Sequence, residues 1–137
     1  MNELTDVRLI WAAGAIQAGI VLVNGILPGR LRVRENVRSI PTFIRQIFYV
    51  HWVYIVLTVG FFSALCFGFA HDLAGASALG RFLSGFMGAF WLLRIALQCL
   101  YYDPEVRRAN RWLDAVYLAG LITLSFIFVR AAFAPVG

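Results

Sequence analysis

Four apolar stretches recur along the chain, at residues 9–27, 47–70, 82–101 and 112–131, and short polar segments separate them. Each is close to or above the roughly 20 predominantly apolar residues that a helix needs to cross a bilayer. The pattern predicts an all-α protein, a single transmembrane domain over 1–137 folded as an integral membrane four-helix up-down bundle.

The third stretch constrains the others. Its only charged side chain is Arg94, seven residues before Tyr101, or about 10 Å along a helix rising ~1.5 Å per residue. An intramembrane arginine costs from about 3 kcal/mol on insertion scales to more than 10 in simulations unless it is paired or snorkels. A partner is therefore expected. Gln98 and Tyr101 lie four and seven residues further on, so they share a helical face with Arg94, and that face should point into protein.

Residues 2–8, which include Asn2, Glu3, Asp6 and Arg8, lack the positive n-region of a signal peptide, and no A-x-A-like site follows. The first stretch therefore reads as a retained helix. Gly14/Ala18 and Ala15/Gly19 form small-xxx-small pairs suited to close helix contact, and Trp11 suits an interfacial belt. Gln17 and Asn24 share a face, for interhelical hydrogen bonds or, at Asn24, a ligand contact. Pro28-Gly29 is expected to end this helix. In the link that follows, Arg30, Arg32, Arg34 and Arg38 interleave with Leu31, Val33 and Val37, so the segment can lie among lipid headgroups with its apolar side down. Recognition of a phosphorylated or acidic partner is the alternative.

Ser39 or Thr42 can cap the second helix, with Pro41 in its first turn. Tyr49, Trp52 and Tyr54 form an aromatic belt around His51. The turn at 71–81 is short, so the second and third helices are expected to be antiparallel neighbours, with His71-Asp72 a helix stop. Ser84, Gly85 and Gly88 lay down a strip for close packing. Asp103-Pro104-Glu105 reads as a capped helix start, and Asp114 and Tyr117 occupy the first two turns of the fourth stretch.

Composition agrees: the 137 residues are 61% hydrophobic, against about 45–50% in soluble domains, and mean hydropathy is +0.79. All twelve basic residues are arginine, for a net charge of +5. In a soluble protein that balance would raise nucleic acid as a partner. Here topology and anionic lipid account for it, because Arg30, Arg32, Arg34, Arg38 and Arg45 fall in one connection and Arg107, Arg108 and Arg111 in another. Only Arg8, Arg81 and Arg130 belong to the opposite side, so both termini are expected outside the cytoplasm of a bacterial inner membrane. Cys66 and Cys99 should lie near opposite faces, unable to form a disulfide, and read as small core residues. No metal site and no cofactor are expected.

The up-down topology brings Asn24, His51, Arg94, Gln98, Asp114 and Tyr117, from four helices, into the cytoplasmic half. Asp114 is the one acidic residue expected to approach Arg94. The cluster is either a hydrogen-bonded network fixing helix register or a site for an amphipathic anionic molecule, such as a lipid or quinone head, anchored by Arg94. Catalytic templates fail: H-E-x-x-H, G-x-S-x-G and a Walker loop are all missing, and no Ser or Cys has a base at a convincing spacing. A proton-coupled small-multidrug exporter would want an acid within the first span, where this chain has Gln17 and Asn24.

Arg94 and Tyr101, followed by Arg107, Arg111 and Tyr117, loosely resemble the membrane-associated eicosanoid and glutathione metabolism proteins. That resemblance implies trimers of four-helix subunits, termini outside and a glutathione site on the cytoplasmic side. The family's E-R-x-x-R-A-x-x-N-x-x-E pattern in the second helix is replaced here by R-Q-I-F-Y-V-H-W-V-Y-I. Two readings stand: a non-enzymatic accessory or self-associating subunit, which makes a homo-oligomer or a larger membrane complex the expected state, and a lipid-, quinone- or glutathione-site binding protein or enzyme.

Overall fold

The computed structural model describes residues 3–30, 32–109 and 111–134. Leu31 of the basic link, Asn2, Asn110 and the Pro135-Val136-Gly137 tail lie outside the described residues. All regular structure among the described residues is helical: α1 (Glu3–Arg30), α2 (Val33–Asn36), α3 (Thr42–Gly68), a five-residue π-turn (Asp72–Ala76), α4 (Ala78–Leu100), α5 (Pro104–Ala109) and α6 (Arg111–Ala132). Four of these, α1, α3, α4 and α6, are long and apolar enough to cross a membrane.

The helices run past the edges of the apolar stretches, because a helix continues through polar residues until something stops it. α1 begins at Glu3, where Glu3 and Asp6 suit the positive end of the helix dipole. It also continues through Pro28 to Arg30, so Pro28-Gly29 does not end it. Proline has no N–H, which leaves the Asn24 carbonyl without its helical donor. The chain then reverses at Arg32, at φ 47°, into α2. Pro41 itself is the residue before α3, and neither Ser39 nor Thr42 caps that helix through its side chain. By contrast, Asp103 Oδ1 does accept from Glu105 N, at 2.7 Å, at the start of α5.

Each long helix buries a narrow stripe. In α1 it is Ile10, Ala13, Gly14 and Gln17, and in α3 it is Val59, Phe62, Ser63 and Cys66. In α6, Leu121, Leu124, Ser125 and Phe128 show the same i, i+3, i+4, i+7 spacing. These stripes are rich in small and polar residues, whereas the outward faces carry Leu22, Ile26, Ile55, Phe61, Phe86, Leu93 and Phe126, all more than half exposed. Water does not tolerate such an inversion on this scale, but hydrocarbon does.

α1 packs mainly on α3 and α4 mainly on α6, and α1 against α6 joins the two pairs. The α3–α4 contact is lighter than the short turn implies and is made by aromatic edges, Phe62 on Phe86 and Phe90. Small residues set the close approaches. Gly14 faces the Cys66 Cβ, its carbonyl accepts from Ser63 Oγ at 2.9 Å, and Gly88 lies against Val129 and Phe128. At the Asp6 end, Arg130 donates to Asp6 and His71 meets Glu3, so the N-terminal end of α1 sits beside the C-terminal ends of α6 and α3. His71 thus ties two helices together as well as standing at a helix stop.

Gln17 is fully buried, and its Nε2 donates to Ala13 O at 3.2 Å and Cys66 Sγ at 3.4 Å. Its Oε1 has no donor among the described residues. An unmatched buried acceptor costs about 1–3 kcal/mol, and the two bonds from Nε2 go to a carbonyl of the helix itself and a weak sulfur acceptor. Gln17→Met is accordingly expected to leave the unfolding midpoint in detergent unchanged or raise it, by up to ~1 kcal/mol in stability. A loss larger than that would mean Oε1 has a partner.

Candidate binding cavity

Toward the other end of the helices, residues of α1, α3, α4 and α6 line a cavity of about 340 Å³. Aromatic and aliphatic side chains wall it, with Phe48 and Trp52 from α3 and Phe90 and Trp91 from α4. Asn24, His51, Arg94 and Tyr117, expected to converge, all line it. Small residues let the helices close at Gly14 and Gly88, whereas tryptophan, phenylalanine and tyrosine side chains border the cavity here.

Arg94 does not pair with Asp114. Its guanidinium carbon lies 5.2 Å from the ring centroid of Tyr102 and 5.4 Å from that of Tyr117, within cation–π range of both. Asp114 is bound instead by Arg107, through Nε at 3.2 Å to Oδ1 and Nη2 at 2.9 Å to Oδ2, and by Gln98 Nε2 at 2.7 Å. The nearer arginine wins because α5 folds back over the first turn of α6. Carboxylate and fork match bidentately, and Asp114 holds the Arg107 guanidinium above its ordinary pKa. Among the described residues Arg94 has no carboxylate within 4 Å and no hydrogen-bond acceptor.

The expected cluster therefore divides in two. Asn24, His51, Arg94 and Tyr117 line the cavity, while Gln98 and Asp114 belong to a latch holding α5. Beside that latch, Arg107, Arg108, Arg111 and Pro104 surround an open basic depression. Tyr101 points away: it is 82% exposed, and Tyr102 takes its expected place beside Arg94. α4 ends at Leu100, so helical periodicity no longer governs which tyrosine turns inward. Cys99 is exposed, not a core residue; Cys66 is buried.

Two polar groups in the cavity have assignable roles. His51 Nδ1 lies 2.8 Å from Ile47 O, and a carbonyl can only accept, so Nδ1 donates there and Nε2 is left for another contact. Asn24 Nδ2 donates to Ile20 O at 2.8 Å within its own helix, leaving Oδ1 as an acceptor. Arg30, Arg32, Arg34 and Arg38 are all exposed along the α1–α3 connection. Val33 turns inward beside Pro28, Leu27 and Tyr49, lining a second chamber of about 200 Å³. Among the described residues no group of three metal-ligating side chains occurs.

Comparison of the chain with protein-family models, curated proteins and solved structures finds no match. The resemblance to the eicosanoid and glutathione metabolism proteins therefore rests on its few residues alone.

Proposed function

We propose that this chain is a multi-pass protein of the bacterial cytoplasmic membrane that holds an amphipathic small molecule between its helices. The four long helices cross alternately, the α1–α3 and α4–α6 connections face the cytoplasm, and both termini lie outside. The arginine count supports that orientation, with Arg30, Arg32, Arg34, Arg38, Arg45, Arg107, Arg108 and Arg111 on one side and Arg8, Arg81 and Arg130 on the other. The exposed arginines of the first connection then meet anionic headgroups.

One observation carries the binding reading: a guanidinium without a carboxylate, facing a ligand-sized cavity with apolar walls. A fixed charge at that depth is costly, and intramembrane ionisable residues mark ligand or ion paths more often than scaffolding. The reading is binding, by retention or transfer of a molecule held on Arg94 within apolar walls. Gentle extraction and native mass spectrometry test it. A small molecule bound to wild type and lost from both Arg94→Ala and Arg94→Lys supports the reading. A ligand that persists unchanged in both variants, or a protein that is always empty, overturns it.

A second reading, an accessory or self-associating subunit, rests on α1. Ala15 and Gly19 are exposed, and a Cβ at Gly19 would meet nothing within 4 Å, so this small-residue face is uncovered. Crosslinking in cells that captures only monomer would remove it.

A further inference from the structure

The cavity at Arg94 and the chamber beneath α2 share Asn24, Phe48 and Trp52 in their linings, so they adjoin along the α1–α3 seam and together outline a bent groove once those side chains move aside. Its polar groups are unevenly placed. Arg94, His51 and Tyr117 sit in the deeper part, whereas Leu27, Pro28, Val33 and Phe48 make the α2 end almost wholly apolar.

Stacking on Tyr102 and Tyr117 compensates part of the Arg94 charge, but ring faces do not take the N–H groups in the plane of the guanidinium. Those donors have no acceptor among the described residues. They form a planar fork whose natural complement is an oxyanion with two adjacent oxygens, a carboxylate or a phosphate. A neutral carbonyl would accept one bond and leave the charge uncompensated in an apolar surround. The two chambers, about 340 and 200 Å³, lie in the range filled by one drug-sized molecule, which suits one acyl chain better than two.

We propose that the groove binds a single-chain anionic amphiphile, its carboxylate or phosphate-monoester head on Arg94 and its chain running along α1 and α3 beneath α2. This rests on the binding reading above and narrows it to one head charge and one chain. With a phosphate monoester, His51 Nε2, in the lining of the same cavity, offers the head a second contact beside Arg94.

The purified full chain in detergent reports on this through its own tryptophans, since Trp52 and Trp91 line the groove while Trp11 and Trp112 are exposed and can be replaced by phenylalanine. The probe is dibrominated stearic acid, whose bromines quench tryptophan at contact. Its methyl ester is the uncharged control. Lysophosphatidic acid, oleate and diacyl phosphatidic acid are the competitors. Saturable quenching by the acid is expected, with the ester weaker by on the order of tenfold or more, about 1.4 kcal/mol per decade. Arg94→Gln should abolish the difference between acid and ester, and Arg94→Lys should keep part of it. Displacement by oleate or by lysophosphatidic acid supports the proposal, and the better competitor names the source of the head. Equal binding of acid and ester, or equal displacement by the diacyl lipid, overturns it while leaving a binding cavity in place. Absence of saturable quenching by either probe overturns the binding reading itself.

Discussion

Gly80→Ala is expected to lower the stability of the folded chain by about 3 kcal/mol or more, at the top of the range for overpacked positions. A Cβ at Gly80 would stand 1.9 Å from the Asp72 carbonyl oxygen, 2.4 Å from its carbon and 3.0 Å from Ser77 Oγ. The two nearest obstacles are backbone, so no rotamer change relieves the clash. The π-turn Asp72–Ala76 is also tied to α4 by Ser84 Oγ, which donates to Leu73 O at 2.7 Å, while Ser77 Oγ caps α4 itself by accepting from Gly80 N at 3.0 Å. Gly75, at φ 108°, places the turn where a Cβ would come within 2.9 Å of Ala134, so the turn also packs against the residues that end α6. Moving the turn off α4 to make room would break the Ser84–Leu73 bond and disturb that second contact.

Better helix propensity from glycine to alanine returns only ~1 kcal/mol, which does not offset the clash. Gly19→Ala isolates that propensity term, since a Cβ there meets nothing within 4 Å. Denaturant titration in mixed micelles should show Gly19→Ala unchanged or slightly stabilised and Gly80→Ala unfolding far earlier. Coincident curves for Gly80→Ala and wild type would mean the turn is not packed on α4 as described.

The four long helices were legible because hydrophobic length is a local property. Their partners were not, because all faces are apolar and hydropathy does not distinguish the buried stripe. Small residues mark the close contacts within it, since Ala13, Gly14, Ser63, Ser84, Gly88 and Ser125 lie inside, but size alone does not define it: Trp91 and Phe128 are buried as well, and Ala15 and Gly19 are not. The small-xxx-small pairs on α1 already carried part of that signal. Gly14 packs on α3, while Ala15 and Gly19, on the other pair, stay uncovered.

The cavity residues were legible through depth. Asn24, His51, Arg94 and Tyr117 fall at one level when four helices alternate, and they line one space. Side-chain partners at that level were not legible, since position along a helix says nothing about rotation or about the short helices between the long ones. Tyr102 lies beyond the end of α4, where the seven-residue spacing that favoured Tyr101 no longer holds. Arg107 was missed as the partner of Asp114 because it was counted as a topology signal. Its position seven residues before Asp114, next to a capped helix start, was the available clue.

Asp114→Ala is expected to release α5, exposing the Arg107-Arg108 bonds to trypsin several-fold faster than in wild type. Asp114 is the shared acceptor for Arg107 and for the buried amide of Gln98, so its removal unlatches α5 and strands a donor on α4 together. Asp114→Asn keeps an acceptor for Gln98 but loses the charge and one arm of the fork, so its cleavage rate should fall between the two. Arg107→Gln should release α5 while sparing the Gln98 bond, which separates the two contacts. Cleavage in the α1–α3 connection, where Arg32 and Arg34 are exposed, serves as the internal standard and should not change. Equal rates at Arg107-Arg108 in wild type and Asp114→Ala would show that α5 is held by something else. The latch also bears on the cavity: with Asp114 occupied by Arg107, Arg94 keeps its charge free. Arg107→Gln leaves Asp114 available to Arg94 and should weaken capture of the brominated acid without touching the groove.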